Sequence, residues 1–173
     1  MTKFTDYLYD ILQNSIEAKA EHIKLSLKRN GLLRVLIEDD GIGMDKDTLL
    51  KVRTFSYSSR RKRNVGLGLS LIHDLSTSTN GYFNIDSTLG VGTTLSIGFD
   101  DKHIDFPEFG SLEALLGDLY IHQGVKNFTL MYEDVLLDFK ALGFDDESKT
   151  MSQKKKLEQV AKALLTRGGY ENN

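Results

Sequence analysis

The spacing of apolar residues divides the chain into alternating helical and extended segments. From Phe4 to Ala20, the residues Leu8, Ile11, Ser15 and Ala18 fall on one stripe with no glycine or proline between them, which predicts an amphipathic helix. Ile23 to Leu27 and Leu33 to Glu38 alternate as strands, and Asn30-Gly31 between them is a strong hairpin turn. A short helix is expected over Lys46 to Arg53 with Asp45 as its N-cap. Thr54 to Val65 is polar, serine-rich and basic, has no hydrophobic period, and reads as a mobile loop. Helix resumes from Gly68 to Leu75, and Tyr82 to Asp86 and Thr93 to Phe99 form the arms of a hairpin across Leu89-Gly90.

Past Asp100 the character changes. Asp100-Asp101-Lys102-His103 and the sole proline, Pro107, make a linker-like stretch. Beyond it the pattern predicts a helix over Ser111–Ile121, strands over Asn127–Tyr132 and Val135–Phe139, and a last helix over Gln153–Leu165. The expected organisation is therefore an α/β unit over residues 1–100, with helices on one face of a mixed sheet, and a small α/β appendage of unassigned role over residues 101–173.

Composition narrows the possible chemistry. With 173 residues, 40% of them hydrophobic, the chain can bury one substantial core and a small second unit. It has no cysteine, which excludes disulfides, thiolate metal sites and cysteine nucleophiles. No apolar run is long enough to cross a bilayer, and Met1-Thr2-Lys3-Phe4 leads into a helix with no apolar secretory core behind it. A cytoplasmic protein without membrane contact is expected. A formal charge of −3 gives no general pull toward nucleic acid, so the basic run Arg60-Arg61-Lys62-Arg63 calls for a local explanation.

Short boxes in a fixed order supply one. They are Asp10-Ile11-Leu12-Gln13-Asn14-Ser15-Ile16-Glu17-Ala18, Asp39-Asp40-Gly41-Ile42-Gly43-Met44, Gly66-Leu67-Gly68-Leu69 and, more weakly, Gly90-Val91-Gly92-Thr93-Thr94. Any one alone recurs by chance. Together they resemble the nucleotide site of the GHKL superfamily of gyrase B subunits, heat-shock chaperones, histidine kinases and mismatch-repair MutL. The resemblance implies a Bergerat fold, ATP as ligand and Mg²⁺ as its ion.

It also implies roles. Asp10, Asn14 and Glu17 share one helix face, beside the apolar stripe. By resemblance Asn14 holds Mg²⁺ through its amide oxygen, an ion that commonly takes few protein ligands plus phosphate and water. Asp10 stands where the gyrase and chaperone branches carry a glutamate as general base. It is one methylene shorter, which makes hydrolysis the least secure part of the carry-over. Asp39 would accept from the exocyclic amine of adenine, and guanine would present a carbonyl there. Gly41 and Gly43 would let the backbone approach the base, Met44 would wall the ring, and Asp40 would face solvent. Thr93, or alternatively Thr94, would complete the adenine contact. Gly66, Leu67, Gly68 and Leu69 open a helix whose exposed N–H groups would cradle phosphate. The loop before them corresponds to the family's ATP lid, and one or two of its basic residues, with Arg60, Arg61 and Lys62 as the candidates, would reach the phosphates.

Three activities fit these boxes: an ATP-dependent switch acting on a partner protein, with slow hydrolysis; a phosphotransferase acting on a partner in trans; and a nucleotide-binding module without turnover. An autophosphorylating kinase needs a histidine on a helix upstream of the site, and only three residues precede the first helix here. His73 falls inside a helix, where a structural role is expected.

Overall fold

Strand alternation builds the sheet. The computed structural model describes residues 3–57, 67–122, 124–144 and 149–170. β1 (His22–Asn30) turns at Gly31, whose φ of +76° suits glycine, into antiparallel β2 (Leu32–Asp39). β3 (Tyr82–Thr88) and β4 (Gly92–Phe99) form a second hairpin that joins the free side of β2. On the other side β5 (Asn127–Tyr132) runs parallel to β1, and β6 (Val135–Asp138) closes the sheet in the order β3-β4-β2-β1-β5-β6. One face carries buried Ile23, Leu25, Leu27, Val35, Ile37, Leu95, Ile97, Phe128 and Leu130, whereas Lys24, Lys28, Arg34 and Thr94 on the other face are exposed. The result is a mixed sheet with its helices on one face.

The helical layer comprises α1 (Phe4–Glu17), α2 (Lys46–Tyr57), α3 (Leu67–Ser78), α4 (Leu112–Ile121) and α5 (Met151–Arg167). Several helix ends differ from the sequence pattern: α3 runs on to Ser78 and α5 extends two residues at each end, and the ends of α1 and α2 differ for visible reasons. α1 stops at Glu17 because Lys19 adopts a φ of 59°, which turns the chain so that Ala20 N–H donates to the Ser15 carbonyl. α2 begins after Asp45, whose carboxylate accepts from Thr48 N–H as an N-cap does, but it runs past Arg53 to Tyr57. The Arg53 guanidinium donates to the Ile85 carbonyl and to Asp86 on β3, a tertiary anchor that periodicity does not reveal. Most of the predicted loop that follows, with Arg60, Arg61, Lys62, Arg63 and Gly66, lies outside the described residues.

The segment beyond residue 100 adds β5 and β6 to the same sheet, and α4 packs on α1 and α5. It also completes α1: the Phe4 and Thr5 N–H groups, which have no partner within their own helix, donate to the carbonyls of Glu108 and Phe109. Tyr170 fastens the far end. The residue is buried, and its hydroxyl accepts from Leu112 N–H at 3.0 Å and donates to the Gly110 carbonyl at 2.8 Å. Burial pushes its phenol from 10.0 up to about 12.

Replacing Tyr170 by Phe should therefore cost about 1–3 kcal/mol of unfolding free energy, because two buried backbone groups lose their partner. A folded pKa above the unfolded one gives stability that is complete below pH 10 and fades as pH rises through about 12. Urea titrations across that range should fall more steeply for the parent than for Tyr170→Phe.

Candidate functional site

Strand register lays a floor for one cavity. Ile37, Leu95 and Ile85 lie opposite one another across β2, β4 and β3, and one step further along the same face come Asp39, Thr93 and Ser87. The floor is thus apolar for one row and polar for the next. α1 forms the wall above it with Ile11, Asn14, Ser15 and Glu17, continued by Ala18 just past its end. Ile42, Gly43, Met44, Thr48 and Leu69 complete a space of about 380 Å³, the size of a small-ligand site.

Asp39 is fixed from two sides. Ser15 donates its hydroxyl proton to Oδ2 at 2.7 Å, and Gly41 N–H donates to Oδ1 at 3.0 Å. The next residue, Asp40, points away from the cavity, as strand alternation requires. It is exposed, as expected, and it also ties down the start of β1: one oxygen accepts from the backbone N–H groups of Glu21 and His22, and the other meets His22 Nδ1 at 2.8 Å. These contacts, led by the His22 backbone, hold its carboxyl below the usual range.

The glycines of this box serve packing more directly than ligand approach. A Cβ on Gly41 would lie 2.8 Å from both Cβ and O of Ala18, so its bareness lets the turn lie on the end of α1. Gly43 has a φ of +63°, and a Cβ there would lie 2.1 Å from the Thr88 carbonyl oxygen. The loop is thus locked to both the helix wall and the β3–β4 hairpin, and the lock is extended by the hydrogen bonds from Ile42 N–H to the Ala18 carbonyl and from Gly90 N–H to the Ile42 carbonyl.

Asn14 lines the cavity, and its amide nitrogen is buried without a hydrogen-bond partner among the described residues. An amide held unsatisfied beside a cavity has capacity for a ligand, and a half-turn of the group exchanges nitrogen for oxygen. Asp10, one turn earlier and half-buried, touches the start of α3: a Cβ on Gly68 would lie 3.2 Å from its Cβ. The helix opening at Leu67 is thereby set beside Asp10, with Leu69 in the cavity lining. Thr93 faces the cavity and Thr94 the open side of the sheet. His73 is half-buried with its ring edge-on to Phe83, 5.2 Å between centroids.

The structure thus brings Asn14, Asp39, Gly43, Met44, Leu69 and Thr93 onto one cavity, with Asp10, Gly41 and Gly68 packed at its border. Sequence reading passed over Ser15 and Ser87. Ser15 carried a signal: a serine on an otherwise apolar helix stripe, now 4% exposed, must find a hydrogen-bond partner. Ser87 carried none, because its role depends on register between strands.

Comparison with known proteins places the chain in a family. A sequence model of the histidine kinase-, DNA gyrase B-, and HSP90-like ATPases matches residues 2–103. The chain is 36% identical over 103 residues to an uncharacterized sensor-like histidine kinase of Chloroflexus aurantiacus, covering 56% of this chain and 16% of that protein. It is 31% identical over 100 residues to sporulation kinase B of Bacillus subtilis, covering 56% of this chain and 23% of that kinase. Against the mismatch repair protein MutL of Buchnera aphidicola the identity is 46% over 41 residues, 24% of this chain and 7% of that protein. The chain therefore spans less than a quarter of the length of these relatives. In fold it resembles the Aquifex aeolicus MutL ATPase domain complexed with ADP, with a TM-score of 0.56 at 18% identity over 92% of this chain and 70% of that one. Coverage that wide takes in most of the segment beyond residue 103.

Ser15→Ala should lower the unfolding free energy by about 1.5–3 kcal/mol, the worth of a hydrogen bond to a charged group. Chemical denaturation with unchanged m-value would register it. Ser15→Thr, which keeps the hydroxyl, should lose less.

Proposed function

Because this chain belongs to the histidine kinase-, DNA gyrase B-, and HSP90-like ATPase family, we propose that its cavity binds adenine nucleotide with Mg²⁺ and that binding acts as a switch on a partner protein. One observation carries the nucleotide reading. Asp39 stands at the polar end of a largely apolar cavity of about 380 Å³ with its carboxylate held in place by Ser15 and Gly41. A carboxylate so fixed accepts from an exocyclic amine, and a base with a carbonyl at that place would leave two acceptors facing each other. The ADP complexed with the similarly folded MutL domain supports the same ligand class.

Asn14 is the residue that would hold Mg²⁺ through its amide oxygen, since its amide nitrogen is committed to no partner and the group can turn to present the oxygen to the cavity. Among the described residues no group of three His, Asp or Glu side chains gathers, so the ion would draw its other ligands from phosphate and water. Bound there, Mg²⁺ would neutralise phosphate charge. The start of α3, beside Asp10, would take the phosphates, since unpaired N–H groups at a helix N-terminus favour anions. Gly66, Arg60, Arg61 and Lys62 would join from the segment that precedes it.

Asp10 is the candidate general base for a hydrolytic water, and its short side chain favours slow turnover. Phosphoryl transfer to a partner protein is the second reading, favoured by the kinases among the relatives. Incubation with Mg²⁺ and γ-labelled ATP separates them. Free phosphate supports a hydrolytic switch, label on an added partner supports transfer, and neither supports binding alone.

The chain should prefer ATP to GTP, and Asp39→Asn should weaken ATP binding by about 1.5–3 kcal/mol. Calorimetry giving equal affinities for the two nucleotides in the parent would overturn the adenine assignment. Asn14→Ala should lose the Mg²⁺-dependent part of the affinity. Asp10→Asn should abolish any hydrolysis and leave binding nearly intact, a split between kcat and affinity that single-turnover kinetics resolves.

A further inference from the structure

The hydrogen-bond polarity of the cavity floor is set by a residue behind it. Ser87 lies across from Thr93 in the β3–β4 ladder. Its Oγ is 2.8 Å from Met44 N, 2.9 Å from the Gly92 carbonyl oxygen and 3.0 Å from Thr93 Oγ1. A serine hydroxyl has one proton and two lone pairs. Met44 N–H can only donate and the Gly92 carbonyl can only accept, so the proton goes to Gly92 and one lone pair receives Met44. Only a lone pair is left for Thr93, which must therefore donate. Thr93 thus commits its proton to Ser87 and turns only lone pairs toward the cavity. Asp39, its neighbour in the row, already accepts from Ser15 and Gly41 and has no proton to offer.

We infer that Ser87 is a positioning residue for base selectivity: it locks the Thr93 hydroxyl as an acceptor, so that the polar end of the cavity admits a purine bearing an amine at position 6 and rejects one bearing a carbonyl. The inference rests on the nucleotide reading above and names what enforces its selectivity. A threonine alone is a poor discriminator, because its hydroxyl can rotate and serve either an amine or a carbonyl. Held by Ser87, it no longer has that choice. The selectivity then comes from Asp39 and Thr93 together, in a row whose other members are fixed by backbone groups of the Gly41–Met44 turn and the β3–β4 hairpin.

The test compares Mg²⁺–ATP with Mg²⁺–ITP, whose base differs in carrying a carbonyl at position 6 and a proton on N1. The parent should prefer ATP by about tenfold or more, and Ser87→Ala should reduce that preference about fivefold, mainly through tighter ITP binding by a freed Thr93 hydroxyl. Ser87→Thr should restore the parental ratio. In a Thr93→Val background, where no hydroxyl remains to be locked, Ser87→Ala should change the ratio less than about twofold. A ratio left unchanged by Ser87→Ala, or ATP and ITP affinities falling in parallel, overturns the inference and leaves Ser87 a packing residue. Should Ser87→Ala fail to fold, Ser87→Cys keeps nearly the same shape with a much weaker acceptor and is judged by the same criterion. A parent that binds neither nucleotide overturns the nucleotide reading and this inference with it. A parent that prefers ATP while the Ser87 variants keep its ratio overturns this inference alone.

Discussion

The hydrogen bond from Ser15 to Asp39 ties the helical layer to the sheet at the one place where both must be exact for a ligand to fit. α1 supplies the cavity wall and β2 its floor, and they are far apart in sequence. A 2.7 Å contact between a buried hydroxyl and a carboxylate sets the distance between them. On the same helix, Asn14 precedes Ser15 and Asp10 lies one turn back, so the bond that orients Asp39 also fixes the rotation of α1 about its axis. The turn after Asp39 then has no freedom: Gly41 lies on Ala18 and Gly43 on Thr88, each too close to admit a side chain. Wall, floor and connecting turn thus form one rigid assembly.

Much of this was legible because it is local. The alternation in β1 and β2, the turn at Gly31 and the stripe of α1 are short-range patterns, and the boxes pointed to the family through residue type and order. Other features lie between distant segments and leave no such trace. The extension of α2 to Tyr57 depends on Arg53 reaching the Ile85 carbonyl. The early stop of α1 depends on a left-handed Lys19, which nothing in its neighbours demands. Ser87 reads as an ordinary strand residue until the register sets it against Thr93. That several residues of the boxes share one cavity was readable and hydrogen-bond direction was not, because direction follows from which atoms share a proton in three dimensions.

The segment after residue 103 lies outside the family match yet contributes to the structure on which the boxes depend. It gives β1 its second neighbour and supplies the carbonyls that cap α1. The likeness to the MutL domain extends across it, whereas the matches to the sensor kinase and sporulation kinase cover little more than half of the chain. In fold, the likeness to the MutL domain therefore takes in most of this segment as well.

The parallel pairing of β1 with β5 has a kinetic consequence. His22 meets Asn127, so the ladder that completes the centre of the sheet closes over most of the chain's length. Parallel strands need a crossover connection, and contacts of high sequence separation form only after the entropy of closing that loop has been met. The hairpins β1–β2 and β3–β4 can form early from neighbouring residues. The end of α1 gains its cap only when residues 108 and 109 arrive. During synthesis from the N-terminus, then, all four boxes leave the ribosome before the strand that seals the sheet beside them. For that interval β1 has an open edge, a ready template for strands of other chains. The order of the sequence thus places the period of greatest exposure to aggregation before the site is complete, and a nucleotide that binds only the finished cavity would draw the late step forward by mass action.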